Sequence, residues 1–292
     1  MKEFLRIVTT DGFVLSATRF SPEKPTSKVI LINSATGVKQ RFYASLASYL
    51  ANEGYTVYTY DYRGIGHSRS KSLRGLKASM KDWGTWDYHS MLQNIFQSHV
   101  NARVIVIGHS VGGQIVGLSS LTQKLEAVVM VGAQTPFIKN FGAGLYRIRL
   151  YFFWYFLLPV LTKIIGYFPA KKLGLFEDLP AGVAWQWLRW AQSSNFLFDE
   201  FPEEKKRFES LQVPALMINF TDDKIAPAPA VADLMAKYPK IKWSQWQLSP
   251  DDVMQKRIGH FGFFRKDMQQ SLWTETAGWM AKLYNSKVRR AA

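Results

Sequence analysis

The sequence predicts an α/β fold: a mostly parallel central sheet with helices on both faces and an inserted helical cap. Three observations carry this expectation. Short apolar runs alternate with segments of helical spacing over most of the 292 residues. Those runs lack the polar alternation of one-sided strands, so they belong to a sheet covered on both faces. The alternation breaks once, between about residues 135 and 210, where the chain becomes aromatic and helix-leaning and offers no convincing strand.

Taken in order, "MKEFLRIVTTDGFVLSATRF" alternates apolar and polar residues around a Thr-Asp-Gly turn and reads as a hairpin. It lacks the unbroken apolar stretch of a signal peptide, which makes a cytoplasmic location the expectation. "SKVILINSA" (Ser27–Ala35) is a compact strand, followed by a helix over Arg41–Gly54 with a glycine stop. "YTVYTY" (Tyr55–Tyr60) is β-branched and aromatic, and Trp86–Val100 is helical again. "RVIVIG" reads as a buried strand, "VGGQIVGLSSL" as a helix, and "EAVVMVGA" as the next strand. After the break come a strand at Val213–Phe220, a helix at Pro229–Tyr238, a strand at Ile241–Leu248 and a last helix near Gln269–Tyr284. The division expected is therefore a core of residues 1–134 and 211–292, with residues 135–210 inserted as a cap over the sheet ends.

Composition narrows the chemistry. No cysteine is present, which excludes disulfides, thiolate zinc sites and a cysteine nucleophile. The excess of 37 Lys and Arg over 22 Asp and Glu, +15 in all, favours anionic partners or a basic background.

Gly108-His109-Ser110-Val111-Gly112 fits G-x-S-x-G, with a strand before it and a helix after it. A nucleophile elbow forces an unfavourable backbone angle on its serine, and the chain packs tightly on either side. The residues two before and two after must therefore be very small. A serine also needs a base near neutral pH. The chain order that accompanies this elbow is serine, acid, histidine. Of His67, His89, His99, His109 and His260, only His260 follows Ser110. His109 reads as filler in the elbow. The acid should follow a strand and precede His260, and "TDDKIAP" supplies two neighbours. Asp223 is the choice, because Asp223, Ile225 and Pro227 place a carboxylate just before a helix start; Asp222 is its rival. The oxyanion donors expected are the backbone N–H of Val111 and, from the "SATG" loop, Ala35, with Thr36 as the alternative. No metal or organic cofactor is called for.

These motifs resemble the α/β-hydrolase superfamily, in particular its serine hydrolases: esterases, monoacylglycerol-lipase-like lysophospholipases and proline-iminopeptidase-like enzymes. "YDYRGIGHS" (Tyr60–Ser68) matches the D-x-R-G-x-G-x-S segment these proteins carry after their fourth strand. With "GHSVGG", "DDKIAP" and Gly259–His260, the resemblance spans nearly the whole chain except the cap. It implies an α/β-hydrolase fold and structural roles for Asp61 and Arg63. The serine sets the chain apart from the dehalogenase and epoxide-hydrolase branches, which use aspartate. One departure stands out: "NSATG" replaces the usual His-Gly of the oxyanion loop.

The expected activity is hydrolysis of a carboxylic ester with a hydrophobic acyl or alcohol part, through an acyl-enzyme on Ser110. The same triad suits an amide, thioester, lactone or carbon–carbon bond, or acyl transfer. A hydrolase fold that only binds an amphiphile is the third reading. In the cap, "LYFFWYFLLPVLTKIIGYF" (Leu150–Phe168) has an uncharged stretch, Leu150–Thr162, shorter than the ~20 residues of a membrane span. Pro159 and Lys163 interrupt it further. No Asp or Glu lies between Ala127 and Phe176, whereas Lys139, Arg147, Arg149, Lys163, Lys171 and Lys172 do. A basic, aromatic cap implies peripheral contact with an anionic membrane. Trp185, Trp187 and Trp190 belong to the pocket wall or to helix packing. Nucleic acid is not expected, because the aromatics are clumped rather than interleaved with the charges.

Overall fold

The computed structural model describes residues 1–69 and 71–291. The hairpin is formed by β1 (Lys2–Val8) and β2 (Val14–Phe20), paired antiparallel. The strands that follow are β3 (Lys28–Asn33), β4 (Thr56–Tyr60), β5 (Arg103–His109) and β6 (Ala127–Val131). A two-residue ribbon, β7 (Tyr167–Phe168) with β8 (Leu179–Pro180), precedes β9 (Ala215–Phe220) and β10 (Trp243–Leu248). Eight of these make one sheet in the order β1-β2-β4-β3-β5-β6-β9-β10, antiparallel at β1-β2 and β2-β4 and parallel elsewhere.

The composition of β5 explains its central place. Val104 and Val106 bury into the apolar layer on one face, while Ile105 and Ile107 bury into the layer on the other. Only a strand covered on both sides uses β-branched residues at every position in this way. The first layer also holds the helix His89–Ser98; the second holds the helices Ala44–Asn52 and Thr274–Ala291. Edge strands β1 and β10 carry exposed residues instead, alternating along β1.

Two local expectations are corrected. The helix after Ser110 does not run to Leu121. It ends as Val111–Gln114 and gives way to 3-10 turns at Val116–Leu118 and Ser120–Lys124. Glycine is a poor helix former, and Gly117 sits where a Cβ would lie 2.5 Å from the Phe208 ring. Its N–H is taken by Tyr238 Oη at 3.1 Å. Tertiary packing thus overrides the helical pattern. The second correction is the β7–β8 ribbon, since no strand was expected between residues 135 and 210.

That segment, between β6 and β9, carries a continuous helix Leu145–Ile165 and further helices at Ala181–Gln192 and Pro202–Ser210. Pro159 does not break the first of these. A π-type turn at Phe153–Leu157 lies just before it, and Pro159 falls at the start of the following α-helical turn, where its missing N–H is tolerated. The segment is fastened to loops at the C-terminal ends of the strands. Glu177 N–H donates to Gly37 O at 3.0 Å, Lys39 pairs with Glu177 at 2.8 Å, and Arg69 pairs with Asp178 at 3.2 Å.

Candidate active site

Ser110 follows the last residue of β5 and has φ 53° and ψ −118°, a conformation that L-residues rarely hold. Hydrogen bonds over-determine it. Ser110 N–H donates to Val131 O at 3.0 Å, and its carbonyl accepts from Gly113 at 2.9 Å and Gln114 at 3.2 Å. The two motif glycines are required by close approach of backbone. A Cβ on Gly108 would lie 2.6 Å from Gly112 O, and one on Gly112 would lie 2.3 Å from Asn33 O. Asn33 adds a staple, donating through Nδ2 to Gly112 O at 3.1 Å while Oδ1 accepts from Tyr60 Oη at 2.9 Å.

At the end of β9 the two aspartates separate in role. Asp223 Oδ2 meets His260 Nδ1 at 2.7 Å, and its Oδ1 accepts from the N–H groups of Ile225 at 2.8 Å and Ala226 at 3.1 Å. Asp222 instead accepts from the N–H groups of Ile258 and Gly259, both at 2.9 Å, and so holds the histidine loop rather than the ring. Gly132 backs the pair: a Cβ there would stand 3.2 Å from His260 Nδ1. The His260 ring packs on His109, the residue before Ser110, with centroids 4.9 Å apart. Among the described residues, neither His260 Nε2 nor Ser110 Oγ has a hydrogen-bond partner, which leaves both for a reactant.

The oxyanion expectation needs correction. Ala35 N–H is not available, because it donates to the buried Tyr43 Oη at 2.8 Å. Thr36 N–H and Val111 N–H have no acceptor among the described residues, the latter because it opens a helix. Among the described residues, no group of three or more His, Cys, Asp or Glu is arranged to hold a metal ion.

A family model described as serine aminopeptidase, S33, matches residues 11–155. No curated protein matches the chain in sequence. Many solved structures share its fold. An esterase from Exiguobacterium antarcticum is 16% identical, with 96% of this chain and 100% of that chain covered and a TM-score of 0.62. An α/β hydrolase from Penicillium sp. sh18 is 13% identical over 97% and 98% of the two chains, with a TM-score of 0.65. An esterase from Pyrococcus furiosus is 15% identical over 98% and 92%, with a TM-score of 0.58. The chain has the α/β-hydrolase fold, and residues 11–155 match the model of a serine hydrolase family.

In this fold, Asp61 and Arg63 fasten loops. Asp61 accepts from the N–H groups of Gln40 at 2.7 Å and His67 at 2.9 Å. Arg63 pairs with Asp87 through Nε at 2.7 Å and with Asp11 through both terminal nitrogens, at 2.7 and 2.9 Å.

His109 is more than filler. Tyr43 Oη lies 2.9 Å from its Nδ1, and its Nε2 lies 3.0 Å from His260 O. One assignment satisfies the whole chain: Ala35 N–H donates to Tyr43, Tyr43 O–H donates to His109 Nδ1, and His109 Nε2–H donates to the His260 carbonyl. The Ser34–Gly37 loop and the histidine loop are thereby joined through a neutral imidazole. Nothing in the sequence marks this link, since Tyr43 is distant from both partners along the chain.

Burial, and secondarily the nearby His260, holds His109 well below its ordinary pKa of 6.5. The unfolded chain binds a proton there below about 6.5 and the folded chain does not, so this residue lowers stability as pH falls through that value. His109→Gln keeps one donor and one acceptor and removes the titration. Its stability should fall less steeply below pH 6.5, by up to ~1.4 kcal/mol per pH unit, when urea unfolding is followed against pH. His89 and His99, both also lowered, contribute equally to the two proteins.

Two hollows flank Phe261, the neighbour of His260. One, of about 550 Å³, is lined by Asp223, Ile225, Arg257 and His260. The other, of about 660 Å³, lies between the Gly37–Phe42 loop and the Lys171–Glu177 turn, with Phe42, Leu175 and Phe176 as its apolar wall.

Proposed function

We propose that this α/β hydrolase cleaves carboxylic esters with a hydrophobic acyl or alcohol part through an acyl-enzyme on Ser110. His260 takes the serine proton through Nε2 and later returns it to the leaving alcohol. Asp223 holds the ring and stabilises the imidazolium as it forms. The tetrahedral oxyanion sits between the N–H groups of Val111 and Thr36, each such donor being worth roughly 10²–10³ in rate. The observation that carries the reading is the His260–Asp223 contact of 2.7 Å beside a strained Ser110 whose hydroxyl has no partner among the described residues.

The apolar hollow supports the choice of substrate. Its size lies within the usual range for small-molecule sites, and five aromatic or aliphatic side chains border it. Its charged rim is Lys39, Arg41 and Lys171 against Glu177, which is tied to Lys39. That rim disfavours the free ammonium group an aminopeptidase substrate would bring.

A series of p-nitrophenyl esters, from acetyl to long-chain acyl, tests the reading beside matched thioesters and aminoacyl amides. Each added methylene that enters the hollow should raise kcat/KM by up to about fourfold, until the hollow is filled. A preference for amides, or esters as the poorest substrates, would overturn it.

A further inference from the structure

The helix Leu145–Ile165 presents two faces, and both are apolar. Its inner face packs on the protein through Trp154, Leu158 and Thr162, all buried. The outer face repeats at helical spacing through Ile148, Phe152, Phe156 and Ile164, of which Phe152 and Phe156 are each 56% exposed and Ile164 is 74% exposed. Tyr151 and Tyr155 stack beside this stripe with centroids 5.6 Å apart. A helix on the surface of a protein ordinarily turns charged or polar residues outward. Only 17% of the most apolar window of this one is buried.

The charged residues of the helix itself have one sign. Arg147, Arg149 and Lys163 lie on the helix, and none has an ion-pair partner among the described residues. No acidic residue occurs between Ala127 and Phe176. We propose that this face is a docking surface for a bilayer carrying anionic lipid, with the helix lying in the plane of the interface. The helix is long and apolar enough to cross a membrane, but its packing on the protein from Trp154 to Thr162 sets the orientation proposed here, along the bilayer and not through it. Aromatic side chains seat at headgroup depth, and the basic residues meet lipid phosphates. A second copy of the chain is a poorer occupant, because a symmetric contact would set this acid-free basic segment against itself.

Docking in this orientation holds the active site at the lipid surface. Tyr146, in the first turn of the helix, has its pKa raised first by burial and then by the charge of Asp223. The proposal does not rest on the catalytic reading, and Ser110→Ala should bind vesicles as the wild type does.

Co-sedimentation with vesicles tests it, using phosphatidylcholine alone and equal parts of phosphatidylcholine and phosphatidylglycerol. The wild type should pellet with the mixed vesicles at low salt. The double variant Phe152→Ser, Phe156→Ser should partition about tenfold less or weaker still, with an unchanged melting temperature because both rings are exposed. The pair Arg147→Gln, Arg149→Gln should lose about tenfold on the mixed vesicles and nothing on phosphatidylcholine alone. Absence of pelleting at low salt, or equal partition of wild type and phenylalanine variant, would overturn the proposal. So would self-association of the lipid-free wild type that the phenylalanine variant abolishes, since the occupant would then be a second copy.

Discussion

Ser110→Ala is expected to lose ester hydrolysis by about 10⁴–10⁶-fold in kcat while staying folded. The hydroxyl makes no hydrogen bond among the described residues, so its removal breaks none. The strained backbone at φ 53° is held by main-chain hydrogen bonds that alanine retains. Loss of activity with an unchanged melting temperature would therefore report chemistry and not unfolding. Asp223→Asn should fall by roughly 10⁴-fold for a different reason, because the amide favours the wrong imidazole tautomer. Asp222→Asn keeps one oxygen acceptor for the two loop N–H groups and should lose far less. Steady-state kinetics on the three variants, each with a melting curve, separates the roles of the adjacent aspartates.

Gly112→Ala is expected to destabilise the fold by roughly 3 kcal/mol or more, read as a shift in the urea midpoint. The added Cβ would stand 2.3 Å from Asn33 O and 2.7 Å from Asn33 C. Neither is the mobile tip of a side chain, so β3 must move away from the elbow, and with it the loop that bears Thr36. Gly278→Ala makes a sharp contrast. That glycine lies in the helix Thr274–Ala291 with nothing within 4 Å of its Cβ position. There the substitution should stabilise by roughly 0.5–1 kcal/mol. The opposite signs tie the glycine spacing of the motif to steric necessity rather than to flexibility.

Much of this architecture is legible in the sequence because it follows from local periodicity. Continuous β-branched runs such as Val104–Ile107 announce doubly covered strands, and the break after β6 marks a stretch that is mainly helical. The elbow is equally legible, since glycines on both sides of one serine between a strand and a helix have few other uses. What is not legible depends on groups brought together by the fold. Ala35 and Thr36 are adjacent small residues in one loop, and only the position of Tyr43 decides which N–H is already engaged. Asp222 and Asp223 share a strand end, and the turn after β9 sends one to the loop backbone and the other to the imidazole. The link through His109 joins residues from three separate segments. The shortened helix after Ser110 reflects Phe208 and Tyr238, both far along the chain, packing against Gly117.

The central claim is that Ser110 is a nucleophile activated by His260. Reaction with a fluorophosphonate, followed by intact mass and peptide mapping, tests it most directly. The account predicts a single phosphonyl adduct on the peptide containing Ser110, absent in Ser110→Ala and strongly slowed in His260→Ala. An adduct on another residue, or equal labelling of wild type and Ser110→Ala, would contradict it.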